Sequence, residues 1–157
     1  MESKTFSPKA EELAVELNNK VPLVIAHHPL RSVADRYRTQ FNENSKTLAL
    51  SSYLPEASHN TIVGLDFPIP EKLYVLFLES SFGFSRNVAR KRVFQKLFEA
   101  KDIPFIPLSV KSSNSLVEQL LLLHFGDLLS YYLAGVYGID PSPIDAIDQL
   151  KDELNKL

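Results

Sequence analysis

The sequence predicts an α/β fold in which a mainly parallel β-sheet lies between layers of helices. Four short, largely apolar runs alternate with segments whose apolar residues recur at helical spacing. Strands that alternate with helices in this way form a parallel sheet covered by helices. The chain has 157 residues, of which 45% are hydrophobic and 23% charged, and it shows no internal repeat or dividing linker. These properties indicate a single domain with a full core.

The first half of the chain predicts the order helix, strand, helix, strand. Ser7 is the expected cap of the first helix and Pro8 its first residue. The run VPLVIAHH (residues 21–28) predicts a strand buried on both faces, and a second helix follows Pro29. TLALSSY (residues 47–53) predicts the second strand. After the polar LPEASHN, the segment TIVGL predicts one or two turns of helix.

The second half predicts two further strands and three helices. KLYVLFLES (residues 72–80) predicts the third strand, and IPFIPLSV (103–110) predicts a fourth whose prolines favour an edge or a strand end. The helix SRNVARKRVFQKLFEAK lies between them, and we expect its inward face to carry Ala89, Val93 and Leu97. A long helix is predicted at about 115–137, and a last helix begins at Ser142, capped by Ser142-Pro143.

Composition excludes several classes of function. The chain has no cysteine, which excludes disulfides, thiol catalysis and cysteine-based metal sites. Its formal charge of −2 argues against nucleic acid or an anionic membrane as the main partner. The N-terminus MESKTFSPKAEEL does not resemble a secretory signal, and polar residues interrupt the apolar stretch 116–138, so we expect a cytoplasmic protein with a buried helix there. The GxGxxG, GxxxxGK[ST], HExxH and GxSxG motifs are absent.

Two polar segments flank the second strand and contain candidate catalytic residues. Glu43, in NENSK, closes the second helix or lies just past it, where a carboxylate is ordinarily a solvated residue. His59, in LPEASHN, follows the carboxyl end of a strand, where ligands bind in such sheets. Histidine suits proton transfer near neutral pH, and the alternative is a loop histidine that caps the next helix with Ser58 or Asn60. Because one strand separates Glu43 from His59, the two would meet only across a contact between chains.

Other candidates have weaker patterns. His27 and His28 at the end of the first strand are candidates for a metal or phosphate contact, although adjacent strand residues point to opposite faces and chelate one ion poorly. The segment ESSFGFSRN after the third strand resembles an anion site, and its hydroxyl and guanidinium groups belong to Ser80, Ser81, Ser85 and Arg86. Lys151, on an amphipathic terminal helix, reads as a solvated residue when no relative is considered.

Two longer stretches, RYRTQFNENSKTLALSSYLPEASHNTIVG and LLLLHFGDLLSYYLAGVYGIDPSPIDAIDQLK, resemble the C-terminal half of the bifunctional phosphoglucose/phosphomannose isomerases. These enzymes have the sugar isomerase (SIS) fold. The resemblance implies a flavodoxin-like three-layer sandwich, with one SIS-like domain over residues 1–157. The N-terminal helix at about 8–20 is a candidate linker or dimer arm.

The resemblance also implies roles for three residues. Glu43 matches the base that moves a proton between C1 and C2 of the open-chain sugar through a cis-enediol, and His59 matches the histidine implicated in ring opening. Lys151 is the nearest match to a lysine that assists at the ring oxygen. The implied reaction converts glucose 6-phosphate or mannose 6-phosphate to fructose 6-phosphate. One carboxylate can serve both carbons, so neither a metal nor an organic cofactor is expected.

The sequence departs from the family in its phosphate-binding part. The family's Ser/Thr-Gly loop and the arginine that steadies the enediolate belong to an N-terminal SIS domain, whereas AHHPLRSVADR follows the first strand here. Phosphate affinity would then come from an N-terminal half or from Ser80, Ser81, Ser85 and Arg86. We therefore expect a homodimer or a heteromer with an N-terminal SIS half. The alternative is a non-catalytic SIS module that binds phosphosugars or mediates assembly.

Overall fold

A computed structural model of the chain describes residues 5–66 and 70–157. The domain predicted over 1–157 therefore includes residues 1–4 and 67–69, which lie outside the described ranges. The helices of the described ranges are α1 (Phe6–Glu16), α2 (Arg31–Asn44), α3 (Ser85–Ala100), α4 (Ser115–Val136) and α5 (Asp145–Leu154). The strands are β1 (Val21–Ala26), β2 (Leu50–Tyr53), β3 (Leu73–Leu78) and β4 (Phe105–Leu108). Short 3₁₀ turns lie at Glu56–Ser58, Val63–Leu65 and Pro70–Lys72.

The four strands form one parallel sheet with the order β2-β1-β3-β4. Val24 pairs with Ser51 in β2, Leu23 with Val75 in β3, and β3 in turn pairs with β4. β1 and β3 are the central strands, and all but the first residue of each is buried, as uninterrupted apolar runs predict. β4 lies at an edge, where its one proline, Pro107, costs no hydrogen bond to a further strand.

Helices cover both faces of the sheet and complete the predicted three-layer α/β sandwich. On one face, α4 packs against α1 and α2 and buries Leu122, Phe125, Leu129 and Leu133 at helical spacing. On the other face, the aromatic rings of α3 pack with those of the sheet, and Phe98 stacks on Phe105 with ring centroids 5.4 Å apart. Within the described ranges no helix is both long enough and apolar enough to cross a bilayer.

Some local predictions are wrong. The inward face of α3 carries Asn87, Phe94 and Phe98, whereas Ala89 and Val93 are exposed. Burial of the two phenylalanine rings outweighs that of the smaller side chains, and this sets the rotation of the helix.

Several element boundaries also differ from the sequence prediction, and specific hydrogen bonds accompany three of these differences. α1 begins at Phe6 with Thr5 at the N-cap position, and the Ser7 hydroxyl instead bonds to Tyr132. α5 begins at Asp145, because Ser142 donates its backbone N–H to Asp140 in the preceding turn. β2 is paired only from Leu50, because the preceding residues are bonded to the end of α2.

The strand order reverses between β1 and β3, so the loops after these strands meet at the carboxyl ends of the strands. Gly83 permits this close approach: a Cβ at Gly83 would lie 2.3 Å from Cε1 of His27. His27 is buried, and its Nδ1 lies 2.8 Å from the carbonyl oxygen of His28. The loops that follow the carboxyl ends of β1 and β3 therefore pack closely together. They lie at the opposite end of the strands from the end of α2.

Candidate functional site

Glu43 lies in the last turn of α2, so it closes the helix, the first of the two positions predicted for it. The helix stops because the Ser45 hydroxyl donates to the Phe41 carbonyl at 2.8 Å and Lys46 adopts a left-handed backbone with a φ of 52°. The side chain of Glu43 is exposed. Its carboxylate is therefore accessible to a ligand.

The two asparagines that flank Glu43 hold the end of the helix in place. Asn44 donates from Nδ2 to the Ser130 hydroxyl of α4 at 2.9 Å. Asn42 accepts from the backbone N–H of Ala49 at 3.1 Å, just before β2. The backbone of Glu43 is thus anchored to a helix on one side and to the approach to a strand on the other, a rigidity that a catalytic group requires.

A cleft of about 380 Å³ opens beside Glu43, between the end of α2 and the start of α5. Lys46 joins its two walls, because its ammonium donates to the carbonyl oxygens of Pro141 and Pro143 at 3.1 and 2.7 Å. The backbone N–H and the hydroxyl of Ser142, with the charge of Lys46, hold the pKa of Asp140 below its ordinary value. Glu43 therefore lines a cleft, and Lys46 holds the segment before α5, which forms the other wall, in place.

His59 follows the 3₁₀ turn Glu56–Ser58 and is exposed. Its backbone N–H bonds to the Glu56 carbonyl at 2.8 Å, which fixes the main chain. Asn60, rather than His59, makes the local polar contacts: its Oδ1 accepts from the backbone N–H of Thr61 at 2.6 Å and its Nδ2 donates to Glu56. The imidazole makes no hydrogen bond within the described part of the chain, so the alternative role as a helix cap has no support.

Glu43 and His59 lie at opposite ends of β2, the edge strand of the sheet. A strand of four residues spans roughly 13 Å at about 3.3 Å per residue. One chain therefore does not bring the two side chains into contact, as the order of elements predicts.

Lys151 is exposed on α5 and forms an ion pair with Asp148 at 3.5 Å. It lies one turn beyond Ile147, the last residue that lines the Glu43 cleft. The structure thus places Lys151 on the helix that forms the wall of the cleft, outside the lining itself.

The four candidate substrate-binding residues separate into two groups. The hydroxyls of Ser80 and Ser81 both donate to the carboxylate of Glu118, which also accepts the backbone N–H of Ser81 at 3.0 Å. Glu118 is fully buried, so these serines already serve to satisfy the hydrogen bonds of a buried carboxyl group. Ser85 and Arg86 line a different cavity at the start of α3.

Sequence reasoning missed Glu118 and Lys46. Glu118 and Gln119 together interrupt an apolar stretch, and the partners of Glu118 lie 37 and 38 positions away in the sequence. Lys46 belongs to the NENSK motif and donates to the Glu43 carbonyl within it, but its other two acceptors are backbone carbonyls more than 90 residues away. No group of three or more His, Asp or Glu side chains within residues 5–66 and 70–157 is placed to hold a metal ion.

Residues 6–154 match the family model of the bacterial phosphoglucose isomerase C-terminal SIS domain. The bifunctional phosphoglucose/phosphomannose isomerase of Thermoplasma volcanium is 34% identical over 97% of this chain and 50% of its own length. The corresponding enzyme of Aquifex aeolicus is 31% identical over 98% of this chain and 48% of its own length. The chain thus spans about half the length of these relatives.

The fold also occurs in a solved structure of a glucose-6-phosphate isomerase like protein from Thermus thermophilus. The two structures agree with a TM-score of 0.68 and 24% sequence identity, over 84% of this chain and 44% of that one. At this identity the likeness establishes the fold alone.

Proposed function

The chain belongs to the family of bacterial phosphoglucose isomerase C-terminal SIS domains, and on that basis we propose that it is the C-terminal catalytic half of a phosphosugar isomerase. Its substrates would be glucose 6-phosphate and mannose 6-phosphate, and its product fructose 6-phosphate, formed in the cytoplasm. The relatives that carry the name of this activity are about twice as long. The proposal therefore includes a second half or a second copy of the chain.

The observation that carries the proposal is the position of Glu43. Its exposed carboxylate lies beside a cleft of about 380 Å³, on a helix end that Asn42 and Asn44 hold in place. A carboxylate so placed can take a proton from C2 of an open-chain aldose and return it to C1 through a cis-enediol. The transfer needs one base and no metal, so we expect a chelator to leave the rate unchanged.

His59 and Lys151 would act on the sugar ring rather than on the carbon-bound proton. An imidazole can donate a proton to the ring oxygen and accept one from the C1 hydroxyl near neutral pH. We assign this ring opening to His59, with Lys151 assisting at the ring oxygen. Because β2 separates Glu43 from His59, the complete site would use Glu43 of one chain with His59 of another, or an additional SIS half.

The exposed face of α5 supports assembly with a partner. None of its residues is buried, and Ile147, Leu150 and Leu154 form an apolar stripe that is 39, 60 and 58% exposed. An amphipathic helix with an uncovered apolar stripe is typical of an interaction surface. We infer a second copy or an N-terminal SIS half as its partner.

The direct test is turnover by a Glu43→Gln variant. We expect this change to lower kcat by about 10²–10⁴-fold, the usual contribution of a general base. Glu11→Gln, an exposed carboxamide substitution on α1, is the matched control and should retain the parent rate. Fructose 6-phosphate formation would be measured for the chain alone and with an N-terminal SIS half, and deuterium uptake at C2 would report proton transfer separately.

His59→Gln should slow turnover of cyclic glucose 6-phosphate while sparing a phosphosugar too short to close into a ring. If Glu43→Gln retains the full rate of isomerisation and exchange, Glu43 is not the base. Absence of turnover in the parent, alone and with the added half, would refute the catalytic proposal.

The second candidate function is a non-catalytic module that binds phosphosugars or mediates assembly. The sequence HHPLR after β1, without a Gly-Ser-rich phosphate loop, favours it. A phosphosugar at 100 times its dissociation constant would add about 2.7 kcal/mol to the free energy of unfolding. A raised thermal midpoint without turnover would support binding, and an unchanged midpoint without turnover would leave assembly.

A further inference from the structure

A second cavity, of about 490 Å³, lies where α2 and α3 begin. Three arginines line it: Arg31 is the first residue of α2, and Arg86 and Arg90 lie one turn apart at the start of α3. His28 adds a fourth nitrogen-bearing side chain. We call this the arginine cavity. It lies at the carboxyl ends of the strands, whereas Glu43 lies before the amino end of β2.

The arginines of the cavity have no carboxylate partner among the described residues that line it. None of the described lining residues carries a carboxylate, and the ion pairs of the described ranges do not include Arg31, Arg86 or Arg90. Three guanidinium groups around one concavity repel one another unless an anion lies between them. The site thus favours a ligand of high negative charge.

Two of the guanidinium groups are held in position by neutral partners. Arg31 lies over the Tyr53 ring at 5.3 Å from its centroid and donates to the Leu54 carbonyl at 3.4 Å. Arg90 donates to Oδ1 of Asn87 at 3.3 Å. These contacts orient the arginines without neutralising them, so less side-chain entropy is lost when an anion binds.

Asn87 adds an uncharged hydrogen-bonding side chain to the cavity. Its side chain lines the cavity and the residue is only 6% exposed. Oδ1 accepts from Arg90, but Nδ2 has no hydrogen-bond acceptor within residues 5–66 and 70–157. Within the described ranges Ser58 Oγ is the buried side-chain atom without a partner, so Nδ2 of Asn87 retains contact with solvent. It is therefore free to donate to an oxygen of a ligand in the cavity.

The ends of the two helices add to this preference. Neither α2 nor α3 has a side-chain cap, and neither has an acidic residue in its first turn. Their first backbone N–H groups therefore remain available, with the positive ends of two helix dipoles near the same cavity. The partial positive charge of the helix N-termini is smaller than the charge of the arginines, but it also attracts an anion.

We propose that the arginine cavity binds the phosphate group of a small phosphorylated molecule. A phosphate monoester carries a charge of about −1.5 to −2 near neutral pH, and its oxygens match the fork of donors that a guanidinium presents. The cavity has the size of a small-molecule site, roughly 300–1,000 Å³, and the net charge of the chain is −2, which disfavours a nucleic-acid polymer.

This site differs from the four-residue anion site predicted from the sequence. Ser85 and Arg86 remain part of it, whereas the hydroxyls of Ser80 and Ser81 are bonded to Glu118. The proposal does not depend on isomerase activity, because the arginine cavity lies at the carboxyl ends of the strands, whereas Glu43 lies before the amino end of β2. Glu43→Gln should leave this binding unchanged even where it abolishes turnover.

The test is a titration of the ¹⁵N-labelled chain with inorganic phosphate, fructose 6-phosphate and fructose, followed by amide chemical shifts. We expect saturable shifts at Arg31 and at residues 85–87 with the two phosphates and none with fructose. Arg86→Gln should weaken binding about tenfold or more, the effect of losing a charge-assisted hydrogen bond. Arg92→Gln, the same change at an exposed position of α3 outside the cavity, should alter the dissociation constant less than twofold.

Every outcome bears on the proposal. Tighter binding of fructose 6-phosphate identifies a phosphate ester as the ligand, and equal binding identifies inorganic phosphate. No saturable shift with either phosphate, shifts confined to the Glu43 cleft, or equal binding of fructose would overturn it. Equal weakening by Arg92→Gln and Arg86→Gln would also overturn it, because the effect would then come from net charge. The thermal midpoint of each variant confirms that it is folded.

Discussion

Replacing Gly126 by alanine should destabilise the contact between α2 and α4 that supports the end of α2. A Cβ at Gly126 would lie 2.2, 2.4 and 2.6 Å from Cε2, Cδ2 and Cζ of Tyr37, whereas non-bonded carbon atoms prefer about 3.5–4.0 Å. The Tyr37 ring would have to move by about 1 Å. It is fully buried, and its hydroxyl donates to the Leu122 carbonyl at 2.7 Å, so it has little freedom to do so.

The expected magnitude follows from two opposing effects. Overpacking of a core lowers the free energy of unfolding by about 1–3 kcal/mol. We expect a value near the upper limit here, because the displaced Tyr37 ring is buried and its hydrogen bond would be weakened. Replacing a helical glycine by alanine stabilises the folded state by about 1 kcal/mol, because alanine has the higher helix propensity. We therefore expect Gly126→Ala to lower the free energy of unfolding by about 2 kcal/mol.

Gly135→Ala is the matched control, because it makes the same change in the same helix where no atom lies within 4 Å of the added Cβ. It should raise the free energy of unfolding by about 0.5–1 kcal/mol. Urea unfolding followed by far-ultraviolet circular dichroism measures both values, with equal m-values as the check on comparability. If Gly126→Ala is as stable as Gly135→Ala, the steric reasoning is wrong.

Two further predictions concern the C-terminal segment and alkaline pH. Lys46→Met removes the hydrogen bonds to the carbonyls before α5, so amide hydrogen exchange in α5 should accelerate with little change in the free energy of global unfolding. The control is Lys151→Met, which loses an exposed ion pair and should not accelerate exchange. Equal exchange rates in the two variants would contradict the anchoring role of Lys46. Burial and the hydrogen bond to Glu16 raise the pKa of the Tyr74 hydroxyl. Since the folded pKa exceeds the unfolded one, this stabilisation is complete below about pH 10 and is lost as pH rises above it. Tyr74→Phe should therefore flatten the decline in the free energy of unfolding above that pH, with exposed Tyr131→Phe as the control, and an unchanged slope would refute the assignment.

The sheet was predictable because its central strands are apolar on both faces, a pattern set by local sequence. The rotation of α3 was not, because Val93 and Phe94 are adjacent and both apolar. Only the shape of the opposing sheet surface, with Phe77 and Phe105, selects Phe94 for burial. Helical periodicity alone could not make that choice.

The candidate site was predictable to a similar degree. The separation of Glu43 from His59 follows from the order of elements, since a strand lies between them. The bonds of Ser80 and Ser81 to Glu118, and the convergence of Arg31 with Arg86, depend on where distant helices dock. Such contacts arise from tertiary packing, which local patterns do not encode.

The position of β2 between Glu43 and His59 has a consequence for inheritance. If two copies of this chain form two active sites, each copy contributes the carboxylate of Glu43 to one site and the imidazole of His59 to the other. Two damaged genes, one altered at Glu43 and the other at His59, would then rescue each other in the same cell, because a mixed pair contains one intact centre. A site contained within one chain would allow no such complementation between alleles.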